Sequence, residues 1–184
     1  WGWGIHRPGL GFPDEAVHLM DGAFIHDALS DIPLSNPVKW AKAYYYQYPA
    51  VTFLAYYPPT FSIVEGLMFH LFGISEQVGR VTVLLLGLLA VGSLFLIIRK
   101  YIGEIPSLFA CILMATQPTI AYWARQTMLE VPTISMGILS IGLLLWYLKN
   151  RKLIALLGWI FSGVATVFTK QNAIFILVSY FILI

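Results

Sequence analysis

Charge is what this sequence has least of. Asp, Glu, Lys and Arg make up 11% of its 184 residues, while 59% are hydrophobic. A soluble domain carries roughly 25% charged residues, so the shortfall points to a bilayer as solvent. Cysteine is nearly absent too. The single Cys111 lies in an apolar run, which excludes an internal disulfide and leaves the redox compartment unread. There is no dense Lys/Arg run, and the net charge is only +2, so nucleic acid is not a partner. No internal repeat, low-complexity tract or signal peptide is visible. The chain starts at Trp1 rather than Met and stops at Ile184 inside an apolar run, so it is read as part of a longer protein.

What the chain has in abundance is long apolar segments. A spanning helix needs about 20 mostly apolar residues. Segments 81–98, 105–122, 131–148 and 153–169 meet this, and a fifth begins at Ala173 and is cut off by the end of the sequence. Aromatics near their ends (Tyr101, Tyr122–Trp123, Trp146–Tyr147) suit interfacial belts. The run 60–72, which holds Glu65 and His70, is short and reads as a helix on the membrane surface, those two residues forming its polar face. The stretch 1–58 is too aromatic for a disordered linker. It predicts short surface helices, the first from about Asp14 to Leu29, opened by Pro13 and by acids that favour the helix dipole. The expected fold is therefore all-α: an outer loop with juxtamembrane helices over 1–79, then a polytopic transmembrane bundle over 80–184.

Loop charge orients the bundle. Arg99–Lys100 and the run KNRK (149–152) join successive spans, whereas Arg125 is balanced by Glu130 in the loop between. The positive-inside rule places the first two in the cytoplasm. Asp14, Glu15, Arg125, Glu130 and Lys170 then share the outer face.

Each of these residues carries two readings. Asp14 and Glu15 are either helix N-terminal charges or a general base at the membrane face. Glu15 and His18, with Asp21 beyond, lie on one helical side, either as a solvated polar face or as ligands of a divalent metal; the spacing is not HExxH. Glu130 opens a span, where an acid is either an inexpensive interfacial charge or functional. Arg80, Arg125 and Lys170 either snorkel or hold a phosphate. The middles of the spans (84–97, 134–147, 154–165) hold only apolar, Ser and Gly residues. That is unlike a transporter, which wants polar groups or broken helices at the midplane. Gly158 and Gly163 miss GxxxG spacing. An enzyme with its site on the outer face fits best; a non-catalytic polytopic protein, transporter or scaffold, is the alternative.

Four motifs then carry a resemblance. PDEAVHLMDGAFIHD (13–27), YYPPTFSIVEGLMFHLFGISEQVGRVTVLLLGLL (56–89), ATQPTIAYWARQTMLEVP (115–132) and GWIFSGVATVFTKQNAIF (158–175) occur in that order. Together the chain resembles the GT-C glycosyltransferases that use polyprenyl-phosphate sugars, the superfamily of protein O-mannosyltransferases and lipid A aminoarabinose transferases. The resemblance implies transfer of a sugar from a polyprenyl-phosphate donor to a protein or lipid/glycan acceptor, and direct displacement with one base predicts inversion. It implies Asp14 as catalytic base, Glu15 as its support and Glu130 as a second acidic position. Arg125 and Lys170 would lie near the lipid phosphate, with Arg80 and Tyr57 beside the substrate. It leaves a divalent metal open, and it implies spans missing at both ends. Many relatives carry Lys or His before the Pro-Pro pair, where this chain has Tyr57, and Glu130 replaces a common Asp. The site is expected outside the cytoplasmic membrane of a prokaryote, ahead of the lumen of the endoplasmic reticulum.

Overall fold

A computed structural model describes residues 9–33, 35–53 and 55–183. At Leu177 and Ser179 and after Tyr180 it describes backbone alone. The first eight residues of the expected outer loop, with Leu34, Leu54 and Ile184, lie outside the described residues. The chain is all-α, as expected. No strand forms among the described residues, only an isolated bridge between Phe53 and Tyr57.

The outer part begins with α1 (Pro13–Asp31), which has Pro at its first position and Asp14 and Glu15 in its first turn. The second helix, α2 (Pro37–Gln47), is capped by the Asn36 side chain, which accepts from Lys39 N. It packs on α1 through rings: Phe24 meets Trp40, Tyr44, Tyr45 and Phe53 at centroid distances of 5.2–5.7 Å. Polar anchors fix the register. Tyr44 donates to Asp27 at 2.7 Å, Trp40 Nε1 to Asp31 at 2.9 Å, and Thr52 N–H and hydroxyl to Asp21 at 2.6 and 3.0 Å. The third helix, α3 (Thr60–Phe72), packs along α1.

Then come α4 (Glu76–Ile102), α5 (Glu104–Thr116), α6 (Pro118–Trp123), α7 (Glu130–Asn150), α8 (Leu153–Val167), a 3-10 turn (Gln171–Ala173) and α9 (Ile174–Leu183). At 27 and 21 residues, α4 and α7 are long and apolar enough to cross a membrane. At 1.5 Å per residue they are about 40 and 31 Å long, against a hydrocarbon core of about 30 Å. Both have an acid in the first turn and cations in the last, matching the helix dipole. Pro118 separates α5 from α6, because its ring cannot continue a helix and biases Gln117 to extended backbone.

α7 lies between α4 and α8. Small residues allow close approach: Gly142 faces Ile97, and Gly158 faces Leu143. Tyr180 donates to Ser140 Oγ at 2.6 Å, which in turn donates to Trp159 O at 3.3 Å, joining α7, α8 and α9. Outward faces are apolar, with Leu108, Phe109 and Leu113 on α5 and Leu157, Phe161 and Val164 on α8 all exposed. Such faces are stable against lipid, not water.

Candidate active site

The site is built where the N-terminal parts of α1, α4 and α7 meet the segment that follows α8. Its foundation is a buried ion pair. Glu15 Oε1 accepts from Gly11 N at 2.6 Å and Phe12 N at 3.2 Å, closing the start of α1. Its Oε2 accepts from Thr127 N at 3.2 Å and lies 3.8 Å from Arg80 Nε. Arg80 also donates to Gly9 O at 2.7 Å and lies 3.6 Å from Glu76. With its amide nitrogen turned toward Glu15, Gln126 donates to Oε1 at 2.7 Å. Glu15 and Arg80 are both fully buried. They join three segments distant in sequence, which is a positioning role. Arg80, expected beside the substrate, is found with its guanidinium against Glu15, Glu76 and the Gly9 carbonyl.

Beside this lock lies a second group that is open to solvent. Lys170 Nζ donates to Glu130 Oε1 at 2.6 Å, and both side chains are about one third exposed. Glu130 Oε2 is buried and has no hydrogen-bond partner among the described residues. The His18 ring sits under Tyr57, centroids 4.6 Å apart, and against Phe61 at 6.3 Å. Burial lowers the His18 pKa to about 4. Asp14 and then Glu130 oppose the shift and Lys170 adds to it, so all three charges lie within reach of the ring. His18 is neutral at pH 7. Burial also raises the Tyr57 hydroxyl pKa, with Asp14 the next cause and Glu130 and Asp21 further ones. Asp14 itself is exposed on the first turn of α1. Asp14, Tyr57, Glu130 and Lys170 thus gather around one neutral histidine.

Local chemistry places Tyr57 there. Pro58 and Pro59 have no N–H, so Thr60 supplies the first amide of α3, and it donates to Phe168 O at the end of α8 at 2.9 Å. That bond sets the Tyr-Pro-Pro turn against Lys170. A cleft of about 220 Å³ opens between them, lined by Tyr56, Tyr57, Pro58, Lys170, Gln171 and Asn172. It shares Tyr56, Tyr57, Pro58 and Gln171 with a second cleft of about 310 Å³ that reaches Val167 and Phe168. Those two residues also line a third cleft of about 330 Å³, wholly apolar, along α8 to Trp159 and Tyr180. A cation at one end and a greasy lane at the other suit an amphiphile with an anionic head.

Arg125 is half-buried just after α6, its Nε donating to Ala121 O at 3.0 Å. Among the described residues no three or more His, Cys, Asp or Glu side chains are grouped to hold a metal ion. Of the two residues marked as metal candidates, Glu15 is engaged by amides and Arg80, and His18 is packed against Tyr57 and Phe61. Glu65 corrects a sequence expectation as well. It is fully buried against Gly22 rather than on a polar face, and burial, with Asp21 adding to it, raises its pKa well above 4.5. His70 does face outward. The sequence reading passed over Gln171 and Asn172 because a Gln-Asn pair after a helix is an ordinary loop signal.

The family model described as dolichyl-phosphate-mannose-protein mannosyltransferase matches residues 57–184. Searches of curated proteins and of solved structures match nothing.

Proposed function

Because the chain belongs to the dolichyl-phosphate-mannose-protein mannosyltransferase family, glycosyltransferases of the GT-C type in membranes, we propose that it transfers a sugar from a polyprenyl-phosphate carrier to a hydroxyl of a protein or lipid/glycan acceptor. The observation that carries this is the run of clefts from Lys170 to the apolar face of α8, with Glu130 bonded to Lys170 and Asp14 acting on the neighbouring His18. Lys170 faces the donor phosphate as a point charge, and Glu130 holds its ammonium in place. The isoprenoid tail follows Val167 and Phe168.

In the reaction the bond from the anomeric carbon to the phosphate oxygen breaks. The phosphate leaves with the electron pair, and Lys170 stabilises its charge. The acceptor oxygen bonds the anomeric carbon, and its proton passes to Asp14. A phosphate leaving group needs no general acid, unlike the paired carboxylates of glycoside hydrolysis. One displacement inverts the anomeric configuration. An outer-face reaction is supported by the cations Arg99, Lys100, Lys149, Arg151 and Lys152 at the other end of the helices, which the positive-inside rule assigns to the cytoplasm. Asp14 lies upstream of the matched residues, so its role stands on position and on the Asp-Glu likeness. The test is a transfer assay of the full-length protein with a panel of polyprenyl-phosphate sugars. Asp14→Asn is expected to lower turnover at least about 100-fold with membrane insertion unchanged. Near-normal transfer by that variant, or a product that keeps the donor's configuration, overturns the reading.

A further inference from the structure

The end of α4 and α7 remote from Glu130 and Lys170 holds a separate cleft of about 190 Å³ between the two helices. Leu96, Ile97, Leu139 and Leu143 give it apolar walls, and Lys100 and Lys149 bring two ammonium groups to the same cleft. Both lysines are exposed, and among the described residues neither takes part in an ion pair or side-chain hydrogen bond. Their neighbours are engaged: Arg99 lies over Phe95 at 5.6 Å and Arg151 over Tyr147 at 5.5 Å. Two uncompensated point charges thus stand beside an apolar slot in a membrane-crossing helix pair.

We propose that this cleft binds an anionic glycerophospholipid, its phosphodiester between Lys100 and Lys149 and an acyl chain along the leucine and isoleucine walls. Charge complementarity selects the occupant. Basic pockets at the ends of transmembrane helices attract anionic headgroups at about 1 kcal/mol per Lys or Arg, roughly fivefold in affinity. A zwitterionic headgroup carries its own ammonium beside the phosphate, which faces the same two cations. The site lies at the other end of α4 and α7 from the proposed chemistry and is independent of it.

The test is native mass spectrometry of the full-length protein released from mixed phosphatidylglycerol and phosphatidylcholine membranes. The wild type is expected to retain phosphatidylglycerol preferentially. Lys100→Gln with Lys149→Gln is expected to lose that preference at an unchanged thermal unfolding midpoint, while transfer activity stays at the wild-type level. Equal retention of the two lipids by the wild type, or full preference in the variant, overturns the proposal. So does retention of an added polyprenyl phosphate in place of phosphatidylglycerol. A photo-crosslinker at Leu139 that captures another segment of the protein instead of lipid also overturns it.

Discussion

Two neighbouring acids on one helix turn do different work here, and burial separates them. Glu15 is enclosed with Arg80, so removing either partner strands a charge in a dry site, a change that costs about 3–5 kcal/mol. Asp14, one residue earlier, stays exposed. Lys170 lies between these extremes, half in water. Under the proposed function, Lys170→Ala should raise the apparent Kd for the lipid donor about tenfold, a little more than one kcal/mol. Acceptor binding should change little; equal loss of both, seen by titrating each substrate, means misfolding instead. His18 supplies a pH signature. Its folded pKa of about 4 lies below the ordinary 6.5, so the unfolded chain binds the extra proton and stability falls as pH drops from about 6.5 to 4. His18→Phe, which keeps a ring against Tyr57 and Phe61, should flatten that limb in thermal unfolding at pH 7 and pH 4.5. Burial of Glu65 acts the other way. Its raised pKa makes stability fall as pH rises above about 4.5, which offsets the His18 limb, so the His18 signature is read as the difference between wild type and His18→Phe at the two pH values.

At the scale of elements, the contact between α1 and α3 decides whether the site assembles, since α1 brings Asp14 and His18 while α3 anchors the Tyr57 turn. Two glycines make that contact close. A Cβ at Gly66 would lie 2.5 Å from Ile25 Cβ and 2.9 Å from the Gly22 carbonyl, and one at Gly22 would lie 2.5 Å from Glu65 Oε2. Gly66→Ala therefore pushes two backbones apart. It should cost about 1–3 kcal/mol by overpacking and lower transfer activity with it, read as a fall in unfolding midpoint together with kcat. Gly92→Ala has open space at its Cβ position and should change neither, beyond a small gain in helix propensity. The same reasoning explains Glu65, whose carboxylate fills the space that the absent side chains at Gly22 and Gly79 leave.

The whole molecule is polarised. Among the described residues, one end of the bundle carries mixed charge around the clefts at Lys170, and the other carries Arg99, Lys100, Lys149, Arg151 and Lys152 with Glu104. Because loop cations resist translocation, single cysteines at positions 14 and 172, in a Cys111→Ser background, should react with an impermeant maleimide added outside. Cysteines at 103 and 150 should react only after the membrane is opened. Positions 14 and 172 reacting from opposite sides would dismantle the shared site. The pair Glu130–Lys170, 40 residues apart and 2.6 Å in distance, already requires that α7 and α8 run as a hairpin with both ends on one face.

Sequence alone determined the all-α class and the long apolar helices α4 and α7, though it ran 105–122 together as one span where Pro118 separates α5 from α6. These follow from composition and from apolar length, which act locally and need no partner. It also marked Asp14, Tyr57, Glu130 and Lys170, because charged or polar groups at the edge of an apolar run are conspicuous. Only the tertiary structure decided which charges work as a pair and which stay open. Arg80 and Lys170 look alike in sequence, each a cation at the end of an apolar helix. One ends fully enclosed by Glu15 and Gly9, the other beside water. The buried place of Glu65 was equally hidden, since it depends on glycines of two other helices meeting at one point. Burial sets both the cost and the protonation of a charged group, and burial is a property of contacts between distant segments.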